Sequence, residues 1–292
     1  MDLFLQQTFA GLAFGGIYAC VALAVVMIYQ ATDEFNFAQG EMAMFSTYIA
    51  YTLLHHGVPY WWAFLLTMAI SFVGGVLVER LIVRPVEGTS VLNAVIVFIG
   101  LIAIFNSMAG WIWEYTIKPF PSPFPKETLI PLKFIGPHDL GVIGVTLLVL
   151  AAVFLFFRFT PVGLAMRAAA QNPDSARLVG IRVGWMLALG WGLAAAIGSV
   201  AGMMVAPIVF LEPNMMAGIL LYGFAGALLG GITNPVGAVA GGFMVGVLEN
   251  LVGTYVPFIG SQLKLTVALV LIVAVLVFRP SGLFGYAVVK RV

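Results

Sequence analysis

Apolar residues along this chain gather into runs long enough to cross a bilayer, with short polar breaks between them. Windows of about twenty residues pick out runs at 9–29, 37–54, 60–79, 91–113, 140–157, 185–209, 217–232, 236–252 and 258–278. The runs are continuously apolar, without the alternation that the strands of a membrane barrel would need. They predict an all-α, polytopic membrane helix bundle. The seventh run is short and glycine-rich (Gly218, Gly223, Gly226, Gly230, Gly231), and Asn234-Pro235 separates it from the eighth. One of that pair is expected to be a half-helix or a re-entrant segment, so eight or nine membrane segments are expected.

Basic residues orient the segments, because cytoplasmic loops carry an excess of lysine and arginine. Arg80 and Arg84 follow the third run, Arg158, Arg167, Arg177 and Arg182 follow the fifth, and Arg279, Lys290 and Arg291 follow the last. With nine segments threaded alternately, all of these fall on one side, and Lys118, Lys126, Lys133 and Lys264 fall on the other. The bias puts the N-terminus outside and the C-terminus in the cytoplasm. It also makes 158–184 a cytoplasmic loop between segments 5 and 6. The proline-rich loop 114–138 (Pro119, Pro121, Pro123, Pro125, Pro131, Pro137) is expected outside, as a stiff extended cover.

Composition agrees. Of 292 residues, 62% are hydrophobic and 9% charged, against about 25% charged in a soluble domain. The mean hydropathy is +1.09. A net charge of +1 excludes a nucleic-acid binder that works by neutralising phosphates. The single cysteine, Cys20, lies within the first run and serves as a small packing residue, so no disulfide framework or metal cluster is expected. Met1-Asp-Leu-Phe-Leu-Gln-Gln lacks a basic n-region, and the first run is expected to be retained as a helix. The pairs Gly11/Gly15, Gly198/Gly202, Gly226/Gly230, Gly237/Gly241 and Gly242/Gly246 are small-xxx-small faces that let helix backbones approach closely. The chain reads as one domain, 1–292.

The loop at 158–182 holds four arginines and one acid, Asp174. Gly163 to Ala170 reads as a short helix carrying Arg167 on a face of small residues. A second helix is expected to start at Pro173, with Asn172 as its N-cap and Asp174 in its first turn, where the dipole favours an acid. Gly180 fits a C-terminal stop. The two form a compact knob. An arginine-rich inner loop can serve topology alone, but the spacing here points further. Asp174-Ser175-Ala176, three residues, then Gly180 resembles the Glu-Ala-Ala-x-x-x-Gly motif of ABC-importer permeases, with Asp for Glu and Ser for the first Ala. Ile181-Arg-Val-Gly stands where many such motifs end in Ile-x-Leu-Pro.

Other stretches carry the same likeness. Asn36-Phe-Ala-Gln-Gly-Glu41 resembles the Asn-Phe-Ala-(His/Gln)-Gly signature of branched-chain amino acid permeases. Met166-Arg-Ala through Asn172 and Ala176-x-x-x-Gly180-Ile181 resemble that group's cytoplasmic loop. Leu228-Leu-Gly-Gly-Ile232 through Gly237, then Gly241-Gly242, Leu248-Glu249 and Phe278-Arg-Pro-Ser-Gly-Leu-Phe-Gly285, extend it in order over nearly the whole chain. The chain is most similar to LivH-type permeases of hydrophobic amino acid importers. The resemblance implies a second, LivM-like permease, two ABC ATPase subunits carrying ATP and Mg2+, and a periplasmic or extracellular substrate-binding protein. It also implies a bacterial inner (plasma) membrane setting and no cofactor on this chain. On that resemblance Gly163, Arg167, Asn172, Asp174, Ala176, Arg177 and Gly180 are the expected ATPase-coupling residues. No Gly-x-x-x-x-Gly-Lys-(Ser/Thr) loop occurs, so an ATP engine would sit on a partner.

Ionisable groups inside apolar runs usually face a bundle interior or a cavity. Glu41 lies behind Asn36, Gln39 and Gly40 at the start of the second run; Glu249 lies beside Asn250 in the eighth. These six are the candidate translocation path. Glu249 fits a structural tie and a pathway role equally, and Asn36 and Gln39 fit an unwound backbone near a cavity. Asn93 and Asn106 fit the lining of a path, but packing hydrogen bonds are the expected role. His55, His56, Trp61, Trp62, Trp111 and Trp113 read as interfacial anchors. No Ser/His/Asp set, metal-ligand spacing or carboxylate pair indicates an enzyme. Two further classes stand beside a permease subunit. An ion- or proton-coupled secondary transporter would use Glu41 and Glu249. A channel of the aquaporin kind would need two membrane-embedded Asn-Pro-Ala elements, whereas Asn172-Pro173 sits in the basic loop.

Overall fold

The computed structural model describes residues 2–32, 34–125, 135–260 and 263–285. Lys126, Lys133, Lys290 and Arg291, used above for orientation, lie outside these, as does the middle of the proline-rich loop. Every apolar run is a helix. In chain order they are α1 (Asp2–Thr32), α2 (Gln39–His55), α3 (Tyr60–Val78), α4 (Val91–Trp113), α5 (Pro137–Phe159), α6 (Pro161–Gln171), α7 (Pro173–Leu178), α8 (Val183–Val209), α9 (Met216–Gly230), α10 (Pro235–Tyr255) and α11 (Lys264–Phe278). A π-helical turn (Glu79–Val83) and a 3-10 turn (Arg84–Val86) extend α3. Among the described residues the only strand-like pairing is an isolated antiparallel bridge between Lys118 and Leu211.

Six helices are long and apolar enough to cross a membrane: α1, α3 with its extension, α4, α5, α8 and α10. α9 and α11 have 15 residues each, about 22 Å at 1.5 Å per residue, short of a hydrocarbon core of about 30 Å. α2 has 17 residues. The shortfall has a local cause in two cases. Phe37 and Ala38 at the front of the second run stand outside the helix, and 258–260 at the front of the last run form turns rather than helix.

The chain divides into two compact units, one of residues 1–26, 124–144 and 218–292, the other of 27–123 and 145–217. In the first, α10 uses two glycine faces. Gly242 and Gly246 admit α1: a Cβ on Gly242 would stand 2.5 Å from the Ala19 Cα, and one on Gly15 would stand 2.8 Å from the Phe243 Cα. Gly237 and Gly241 admit α9, where Gly226 would meet the Gly242 Cα at 2.7 Å. The spacing expected from the sequence is thus the spacing that packs. In the second unit α8 is the axis, buried along most of its length and wrapped by α2 and α3. Gly75 and Gly192 bring α3 and α8 together, and Gly202 takes the Thr47 side chain of α2. Trp191 of α8 is fully buried, its ring stacked with Phe98 at 6.1 Å. The outward faces of α3, α4, α5 and α11 are apolar, with Trp62, Trp111, Leu148 and Phe278 exposed, as lipid contact requires.

Candidate functional site

The 158–182 loop folds into two helices, each started by the same device. At α6 the Thr160 hydroxyl accepts the Gly163 N–H at 3.0 Å, and Pro161 supplies the first turn. At α7 the Asn172 Oδ1 accepts the Ser175 N–H at 2.9 Å ahead of Pro173. Each satisfies an N–H that the helix start leaves without an intrahelical partner. α7 ends in a Schellman turn: the Gly180 N–H reaches the Arg177 carbonyl and the Ile181 N–H the Ala176 carbonyl, both at 3.0 Å. Gly180 has φ +84°, a conformation an L side chain rarely adopts. Ala169, Ala176 and Val183 form a small core with Ile181, Met186 and Leu187, fixing the knob to the start of α8.

Of the seven expected coupling residues, Gly163 and Ala176 are buried, while Arg167, Asn172, Asp174, Arg177 and Gly180 are exposed. Gly163 lies against the Phe157 Cα, where a Cβ would come within 2.7 Å, so α6 can fold back on the end of α5. Arg177 pairs with Asp174 at 3.1 Å in the open. Leu178 and Val179 stand 89% and 77% exposed at the knob's end. Sequence reasoning passed over them, although two apolar residues inside a polar loop were the signal. It also counted Arg80 and Arg84 only for topology. The Arg80 guanidinium lies 3.9 Å from the centre of the Trp185 ring. Arg84 lies over Gly184, its Nη2 2.7 Å from where a Cβ would stand. Both arginines therefore hold the chain just where it leaves the knob.

The break before α2 forms a second polar region. Asn36 is fully buried; its Oδ1 accepts the Ala38 N–H at 3.0 Å, and its Nδ2 is 3.4 Å from Gln39 Oε1. Gln39, 1% exposed, donates from Nε2 to the Ala194 carbonyl at 2.9 Å, in space that Gly198 leaves open. Ala194 and Gly198 lie near the middle of α8, so α2 begins halfway along that helix. Thr47 then lies against Gly202, so the two helices run in the same direction. Non-helical backbone at such depth requires internal hydrogen bonds, and Asn36 and Gln39 supply them. Gly40 is buried as well.

Glu41 differs, because its side chain remains partly accessible. Asn106 of α4 points its Nδ2 at Glu41 Oε2 (3.5 Å), at the Pro213 carbonyl (3.2 Å) and at Asn214 Oδ1 (3.1 Å). Pro213 and Asn214 reach this point because Phe210, at φ +66°, turns the chain sharply at the end of α8.

Glu249 and Asn250 lie in the other unit. The Tyr18 hydroxyl donates to Glu249 Oε2 at 2.6 Å, Lys264 Nζ lies 4.0 Å from Oε1, and Tyr18 stacks on Tyr222 at 4.8 Å. Asn250 donates to the Gly246 carbonyl of its own helix at 3.2 Å. The carboxylate is thus tied on both oxygens. Both Asn-Pro pairs are helix starts: Asn234 Oδ1 accepts the Val236 and Gly237 N–H groups at 3.1 and 3.2 Å, as Asn172 does for α7. Among the described residues no group of three His, Cys, Asp or Glu could hold a metal ion.

Known proteins share this architecture. Residues 7–278 match the family model described as "Branched-chain amino acid transport system / permease component". The high-affinity branched-chain amino acid transport system permease protein LivH of Salmonella typhimurium is 29% identical, with 99% of this chain and 98% of LivH covered. BraD of Pseudomonas aeruginosa, of the same description, is 31% identical over equal shares. A probable LivH of Methanocaldococcus jannaschii is 27% identical over 93% of this chain and 90% of its own. Among solved structures, PsaBC from Streptococcus pneumoniae in complex with Fab has a TM-score of 0.52 and 11% identity, covering 93% of this chain and 91% of that one. That likeness concerns the fold alone. The family match spans nearly every helix described above, and the chain therefore belongs to the permease components of branched-chain amino acid transport systems.

Proposed function

We propose that this chain is the membrane permease subunit of an ATP-driven ABC importer that moves branched-chain or other hydrophobic amino acids into the cytoplasm of a bacterial cell. It is one permease domain of eight or nine membrane segments in the plasma (inner) membrane, N-terminus outside and C-terminus inside. It works with a second, LivM-like permease, two ATPase subunits that bind ATP and Mg2+, and a substrate-binding protein on the outer face. The knob of α6 and α7 is the ATPase coupling loop. The observation that carries this reading is a rigidly capped knob exposing Arg167, Asp174, Arg177, Leu178 and Val179, on a chain related to permeases over its length and lacking a phosphate loop of its own.

ATP binding closes the ATPase pair, and the knob passes that movement to α5 and α8, its two flanking helices. Differential contact in the open and closed states is what biases the transporter. The test is reconstitution of the complete importer with labelled leucine. Exchanging Arg167 and Asp174 together for Ala is expected to lower uptake while the subunits still associate and hydrolyse ATP. Wild-type coupling in that variant would remove the knob from the mechanism. Glu249, tied by Tyr18 and Lys264, is poorly suited to the proton-carrier role that a secondary transporter would ask of it.

A further inference from the structure

The convergence at Asn106 is chemically unbalanced. A primary amide offers two N–H donors, yet three oxygens surround this one. The Glu41 carboxylate and the Pro213 carbonyl can only accept, which fixes the Asn106 amide with its nitrogen toward them and leaves Asn214 Oδ1 as the third acceptor. The distances, 3.5, 3.2 and 3.1 Å, are those of one donor shared among more acceptors than it can serve. Glu41 has no basic side chain within 4.0 Å among the described residues, whose ion pairs are Arg80–Glu79, Arg177–Asp174 and Lys264–Glu249. A carboxylate with a single long hydrogen bond, beside two further oxygens, lacks one cationic donor. A primary ammonium has three N–H groups and a positive charge, which is what this set of acceptors lacks.

The surroundings match the rest of an apolar amino acid. Glu41, Phe45 and Ile49 follow one another at helical spacing along the face of α2 that is left partly accessible. Phe45 packs on Phe105, next to Asn106, and on Trp113, each at 5.4 Å between ring centres. The accessible stripe is therefore acceptor-rich at one end and aromatic and aliphatic beyond it. It faces α4, through Asn106, Phe105 and Trp113, on the side of α2 turned away from Gln39 and Thr47, which meet α8.

We infer that Glu41, the Pro213 carbonyl and Asn214 Oδ1 form a transit subsite for the ammonium group of the cargo, with Asn106 Nδ2 as its placeholder when no cargo is present. This rests on the amino acid importer reading and deepens it. It commits the cargo to a primary ammonium carrying an apolar group, which urea and simple carboxylates lack. A purely structural tie predicts something different. If Asn106 only fastens α2, α4 and the 210–215 segment together, removing Asn106 should do more harm than neutralising Glu41.

The experiment uses the complete importer in proteoliposomes, fed labelled leucine through its binding protein. Glu41→Gln is expected to lower uptake roughly tenfold or more, since bonds to charged groups are worth at least that factor. ATP hydrolysis stimulated by the loaded binding protein should stay within about twofold of wild type. Glu41→Asp keeps the charge and is expected to restore part of the uptake, which guards against a folding artefact. Asn106→Ala leaves all three acceptors for the cargo and is expected to lower uptake less than Glu41→Gln does, whereas a purely structural tie predicts the reverse order. A second arm measures leucine binding to the solubilised importer without its binding protein: isopentylamine should compete and 4-methyl-2-oxopentanoate should not. Wild-type uptake in Glu41→Gln, equal damage from Asn106→Ala, absence of leucine binding, or competition by the oxo acid would each overturn the subsite. If the wild-type importer carries an uncharged or carboxylate solute and no leucine, the cargo reading itself fails, and the wild-type control reveals this before any variant is compared.

Discussion

At the scale of single residues, two kinds of position carry this protein: glycines that set how near two backbones come, and polar side chains spent on backbone. Adding a side chain to the first kind pushes helices apart. Gly242→Val places carbon where the Ala19 backbone already stands and is expected to cost about 1–3 kcal/mol, the usual range for overpacking. Gly144→Ala, with open space around it, is expected to be neutral or slightly stabilising through helix propensity. Thermal melting of the two purified variants checks the contrast. A polar pair makes the complementary case. Tyr18→Phe removes the 2.6 Å bond to Glu249 and leaves that carboxylate with the Tyr222 hydroxyl and with Lys264 at 4.0 Å. Loss of about 1.5–3 kcal/mol is expected, read as a lower melting temperature.

Elements show why the knob is stiff. Its two helices are too short to persist alone, so caps, the Schellman turn and the small core on α8 hold them. Asn172→Ala is expected to cost about 1 kcal/mol locally, seen as faster hydrogen exchange of the Ser175 amide, with weaker coupling of ATP hydrolysis to uptake. Gly180→Val forces a β-branched residue to φ +84° and should do the same through about 1–2 kcal/mol of backbone strain. These devices were legible beforehand because caps and stops are local: Asn172-Pro173 and Gly180 announce themselves within a few residues. The apolar runs were legible for the same reason, since lipid demands a long unbroken stretch. The Glu41 cluster was not, because its members come from α2, α4 and the segment after α8. Only the fold, with the turn at Phe210, brings them to one amide. Glu249 could not be assigned from sequence either. Its partners lie on other helices, Tyr18 far back in α1 and Lys264 at the start of α11.

For the whole molecule, orientation is the property on which the proposed mechanism depends. Cys20 is fully buried, so the native chain offers a quiet background for thiol labelling. Leu178→Cys is expected to react with a membrane-impermeant maleimide only from the cytoplasmic side, and Glu114→Cys only from outside. The reverse pattern would invert the topology and take the knob away from the ATPases. One feature of the first unit bears on how the molecule is made. Residues 281–285 fold over the end of α9: the Leu283 and Phe284 N–H groups bond the Leu229 and Gly230 carbonyls at 2.7 and 3.0 Å. Asn234 Nδ2 in turn reaches the Phe284 carbonyl at 3.0 Å, 50 residues away in sequence. A ribosome adding roughly 5–20 residues per second therefore leaves this helix end open for about 3–10 s after α9 itself is made. During that interval the free carbonyls need water or another partner. Residues 281–285 thus work as a clasp, and a nascent chain stalled before them would present an unfinished helix end to the membrane's quality-control proteases.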